Sequence, residues 1–147
     1  MGAFLKELSA EARSLVPWTL WVTISFAVAI AGPLSNLVMA FGWGLVMALS
    51  LNLSGSAQEI LFKMGQYGVL INAVMFVLNM LPILPLDGGR FVDSFLSARL
   101  SMQFQKIEPY GTWIILILLI SGLLGSIMQP FIGLILMAVQ HFAGLFV

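Results

Sequence analysis

The chain has 147 residues, enough for one domain, of which 61% are hydrophobic and 8% charged, with no net charge. Soluble domains carry charge on about a quarter of their residues, and the six Lys and Arg are too scattered for a basic patch, so a soluble enzyme and a nucleic-acid binder are both excluded. Disulfides are excluded by the absence of cysteine.

Residues 14–58, 64–86 and 109–147 contain no charged side chain. Runs of about 20 apolar residues cross a bilayer core, so the expected class is an all-α integral membrane protein of about four transmembrane helices in a single domain, in contact with lipid. At the start, AFLKELSAEARS places Phe4, Leu5 and Leu8 near one helical face, with Lys6, Glu7, Glu11 and Arg13 around the rest; residues 1–14 read as an interfacial helix. Lys6 occupies the place where a myristoylation signal needs Ser or Thr. The mixed charge, with no small-residue cleavage site, argues against a signal peptide.

Residues 15–51 are too long for one upright helix and are interrupted by AGPLSN at 31–36, where Pro33 removes a backbone donor. Either two short spans meet there or one kinked helix passes through. NLSGSA, 52–57, is a loop by composition. A second span is expected over 57–82, opened by Glu59 and Lys63 four residues apart. It stops at LPILPLDGG, where Pro82 and Pro85 preclude ordinary helix. Residues 83–107 read as a turn and connector. A third span follows over 109–124, with Tyr110 and Trp113 as interfacial aromatics, then a break at 125–130 and a last span over 128–147. If 15–51 crosses once, Lys6, Arg13, Arg90, Arg99 and Lys106 share one side and only Lys63 lies opposite; the positive-inside rule then puts both termini and Asp87 toward the cytoplasm.

Asp87 is the residue that asks for a function. An ionised side chain at membrane depth costs a few kcal/mol and is a functional candidate by default. The plain alternative is a helix-end acid in wet headgroups, paired with Arg90. Around it, Pro82 and Pro85 impose irregular backbone, which persists at such depth only when buried in protein or lining a wet cavity. Gly88 and Gly89 permit a tight turn or close approach. Asn79, one turn before Pro82, offers both a donor and an acceptor.

NMLPILPLDGGR, 79–90, resembles the second signature of the site-2 protease family of intramembrane zinc metalloproteases, Asn-x-x-Pro-x-x-x-Leu-Asp-Gly. AGPLSN resembles the family's Gly-Pro-x-x-Asn element, and IEPYGTWIILILLISGLL is similar to the tail of its short bacterial members. The resemblance covers about residues 30–124. It implies that Asp87 is the third zinc ligand, that Asn79 lies near substrate or the active-site water, and that Gly32, Pro33 and Asn36 are structural. It also implies zinc as cofactor, transmembrane segments of other proteins as substrates, and a bacterial cell membrane as location.

The family's other signature, His-Glu-x-x-His, supplies two zinc ligands and the general base. This sequence lacks it: the single histidine is His141, beside Gln140 and outside the region of resemblance. The expectation is therefore a truncated or degenerate relative, inactive alone, with no stoichiometric zinc. The competing readings are a non-catalytic protein that clasps transmembrane segments, and a small transporter subunit with Asp87 as an ion site between broken helices.

Overall fold

The computed structural model describes residues 18–146, and the expected interfacial helix at 1–14 lies outside them. The described residues form helices joined by turns and short irregular segments: α1 Trp18–Ser50, α2 Ser56–Asn79, α3 Asp87–Phe95, α4 Ala98–Gln105, α5 Glu108–Ile120 and α6 Leu123–Ala143, closed by a single 3₁₀ turn, Gly144–Phe146. Three of these stretches, Phe26–Ser50, Ser56–Asn79 and Leu123–Phe146, are long and apolar enough to cross a bilayer. Large apolar side chains such as Val38, Ile71, Ile117 and Met137 stay exposed on the outside of the bundle, the arrangement lipid requires and water would penalise. The protein is an all-α membrane protein.

Of the two ways of reading residues 15–51, the structure takes the single helix: α1 runs unbroken for 33 residues with the fully buried Pro33 inside it. Its length, about 50 Å at 1.5 Å per residue, exceeds a bilayer core. The donor that Pro33 lacks is a loss that membrane helices commonly absorb.

α1 and α2 form an antiparallel hairpin around glycines. A methyl group on Gly65 would lie 2.7 Å from Met47 Cβ, and one on Gly68 would enter the Trp43 ring. With nothing but hydrogen on these Cα atoms the two backbones approach closely, the usual basis of helix association in lipid. Asn72, buried in α2, donates from Nδ2 to the Gly68 carbonyl at 2.8 Å, so its amide is not left bare. α6 crosses the hairpin: Val139 packs with Ala40 and Val69 in one buried cluster, Leu124 and Met128 with Val77 in a second.

The last third departs from the expected boundaries. α5 has 13 residues, about 20 Å, and is shorter than α1, α2 and α6. The chain then turns at Ser121–Gly122 rather than at 125–130. Gly122 takes φ 76°, open to glycine at no steric cost, whereas Gly125 and Pro130 lie inside α6.

Candidate active site at the helix break

α2 ends at Asn79, and α3 begins at Asp87. The register of the hairpin gives the level of this break. Gly65 faces Met47; fourteen residues farther along α2 is Asn79, and fourteen back along α1 is Pro33. A direct contact agrees with that register, because the Asp87 carboxylate lies against Gly32, where a methyl group would be 2.5 Å from Oδ2. Two motifs some fifty residues apart in sequence thus come to one place. Gly32 lies well inside the charge-free run of residues 14–58 to which α1 belongs. Asp87 therefore meets α1 within its apolar run rather than at a charged end.

Beyond the break, α3 continues in the direction of α2 and covers the part of α1 that α2 does not reach. Phe91 and Phe95 pack on Phe26 with ring centroids 5.2 and 5.9 Å apart. α2 and α3 are in effect one helix interrupted by irregular backbone. Asp87 stands in the first turn of the second half, where the aligned peptide dipoles favour a negative charge.

The interruption is tightly built. Ile83 N–H donates to Leu81 O at 2.8 Å, Leu86 N–H to Ile83 O at 2.9 Å, and the Leu84–Pro85 peptide bond is cis. Buried Gly88 and Gly89 lie directly on the backbone of residues 80–84, and Gly111 of α5 lies on the Leu84 carbonyl and Pro85. The loop is clamped between α3 and α5, with glycine at each contact. Asn79 and Asn36 are half-buried at or near this level, and Pro82 and Pro85 are exposed. Gly111, which the sequence reading used only as part of a resemblance, proves to be a wall of the loop. Its one signal in the sequence is the Tyr-Gly pair at the start of an apolar run.

Among the described residues no full set of metal-binding side chains gathers around the carboxylate: no three His, Cys, Asp or Glu side chains come together. Asp93, six residues along α3, is about 9 Å farther and on another face. Its Oδ2 accepts from Gln105 Nε2 at 2.9 Å. Glu108 is exposed at the start of α5. Next to His141, Phe142 packs edge to face with Phe41, ring centroids 5.2 Å apart, and Val139 meets Gly44. Those contacts lie nine and twelve residues from Gly32, about 13–18 Å along α1, so His141 and Asp87 cannot share an ion. A catalytic zinc takes three protein ligands; the described residues bring no such set together and do not fit that metal by themselves.

The family model described as Peptidase family M50 matches residues 43–122, more than half of the chain, including the whole break. Over 111 residues the chain is 29% identical to "Putative zinc metalloprotease YwhC" of Bacillus subtilis (strain 168), covering 72% of this chain and 50% of that protein. Over 86 residues it is 37% identical to "Putative zinc metalloprotease sll0528" of Synechocystis sp., covering 58% of this chain and 20% of that protein. The chain thus spans half or less of the length of the curated relatives it matches. No solved structure matches it significantly. With its signature aspartate seated in a membrane-helix break and the M50 model running through that break, the chain belongs to peptidase family M50, the site-2 protease family.

Proposed function

We propose that this chain is the aspartate-bearing part of an intramembrane M50 peptidase, a piece or a shortened relative that cuts nothing by itself. The observation that carries the proposal is the meeting of Asp87 with the Gly32–Pro33 element at a break in a membrane helix, with no three metal-binding side chains gathered there among the described residues. Asp87 is the residue that would contribute to a metal site whose remaining ligands come from elsewhere. Asn79, Pro82, Pro85, Gly88 and Gly89 shape the irregular backbone beside it, where a transmembrane segment of a substrate would be received. Gly32, Pro33 and Asn36 belong to the supporting helix. Clasping a transmembrane segment without cleavage is the alternative, and it uses the same loop.

The location proposed is a bacterial cell membrane with both termini cytoplasmic. Single cysteines at Ser56 and Ser101 should then label from opposite sides; labelling from one side would reject that topology. The functional proposal is tested by metal analysis of the detergent-purified chain. The expected result is far less than one zinc per chain, unchanged in Asp87→Ala. About one zinc per chain, lost in Asp87→Ala, would show a complete site and reject the proposal.

A further inference from the structure

We propose that Gly32 is the positioning residue for Asp87: the missing side chain at Gly32 is the seat in which the carboxylate rests. The inference rests on reading Asp87 as the functional carboxylate and assigns to Gly32 a role beyond general packing. Apart from its chain neighbours and its own helix backbone, the described atoms within 4 Å of a methyl group placed on Gly32 are two, Asp87 Oδ2 at 2.5 Å and Asp87 Cγ at 3.5 Å. Among the described residues no other glycine has its slot filled by an ionisable side chain. Gly44, Gly65 and Gly68 meet Val139, Met47 and Trp43, Gly88, Gly89 and Gly111 meet the loop of residues 80–85, and Gly42, Gly125 and Gly133 meet nothing.

The two sides of the contact differ in stiffness. Gly32 is held in a helix whose next residue is the fully buried Pro33, and the Ser35 hydroxyl donates to its carbonyl at 2.7 Å. Asp87, by contrast, meets the slot with the end of a rotatable side chain. A methyl group at residue 32 therefore displaces the carboxylate, by about 1 Å to reach van der Waals separation, and leaves the backbone where it is. A functional group has to be held to within about 0.5 Å of its working position. Gly32→Ala should accordingly misplace the carboxylate without unfolding the protein.

The test uses the whole chain in detergent and needs no metal. Asp87 is coupled to an amine nucleophile with a water-soluble carbodiimide, and its modification rate is followed by peptide mass spectrometry. Thermal unfolding is measured in parallel for Gly32→Ala, Asp87→Ala and the double variant. Gly32→Ala should raise the Asp87 rate several-fold at an unchanged melting temperature, whereas Gly42→Ala should leave the rate unchanged. If Gly32→Ala proves unstable, restoration of folding in the double variant still identifies the Asp87 side chain as the obstacle. An unchanged rate in a folded Gly32→Ala overturns the proposal, as does a loss of stability that persists without the Asp87 side chain. The zinc measurement is independent of both: a complete zinc site would reject the half-site reading and leave the seat, whereas an unchanged rate would remove the seat and leave the half-site.

Discussion

Helix α1 is approached through glycine in two regions, and the neighbours differ. In its C-terminal half, Gly65 and Gly68 of α2 bring Met47 and Trp43 against a partner backbone, and Val139 of α6 closes on Gly44. These are apolar contacts among groups that are already packed. In its N-terminal half, Gly32 receives a single carboxylate, with α3 alongside through Phe26, Phe91 and Phe95. The first region uses absent side chains to gain dispersion contacts, which drive helix association where the solvent is itself apolar. The second uses one to make room for a polar group beside an otherwise charge-free stretch of helix. Glycine at a helix interface is therefore not evidence of one role; the rigidity and chemistry of the opposing atoms decide it.

Adding a methyl group where the opposing atoms are backbone should have the largest effect. At Gly111 it would fall on the Leu84 carbonyl with Pro85 behind it, so neither side can yield by rotating a side chain. Gly111→Ala should cost about 3 kcal/mol, the upper part of the range for overpacking, measured by denaturant unfolding in detergent micelles. An effect under about 1 kcal/mol would mean that the loop is not clamped between α3 and α5.

Gly68→Ala comes next, at about 1–2 kcal/mol, because the Trp43 ring can tilt away and alanine recovers part of the loss through its better helix propensity. The same unfolding measurement applies. A cost equal to that of Gly111→Ala would erase the distinction between a yielding ring and an unyielding carbonyl. The smallest effect is expected at the polar end. Asp87→Asn keeps the shape of the side chain in the Gly32 slot, and among the described residues the ion pair is Lys63–Glu59, remote from it. The change should stay within about 0.5 kcal/mol. A cost as large as that of Gly68→Ala would reveal a charged partner for Asp87 and break the comparison.

Composition and local pattern were sufficient for several features, because each depends on neighbours in sequence. The apolar runs make the spans, since a stretch free of charge has one favourable solvent. Pro82 and Pro85 end α2, since neither can donate a hydrogen bond, and Gly88 and Gly89 open α3 against the loop, since the chain has no room for a side chain there. The resemblance of the aspartate motif to the site-2 protease signature also pointed to the family that the M50 model matches. The final turn shows the limit of such reading. Both Gly122 and the Gly125–Pro130 stretch carry breaker residues, and only the folded backbone shows that Gly122 takes the left-handed conformation while Pro130 stays helical.

What the tertiary structure alone decided is the meeting of distant parts. Nothing local to AGPLSN tells that Gly32 faces Asp87, because the pairing follows from the register in which α1 and α2 dock through Gly65 and Gly68. The same docking sets the depth of the break and carries His141 more than a zinc-ligand's reach from Asp87, at the level of Phe41 and Gly44. Residue type and spacing fix which groups a chain owns. Which of them share a site is set by how whole helices fit together, and for this chain that fit is governed by where glycine lets one backbone or one carboxylate come close.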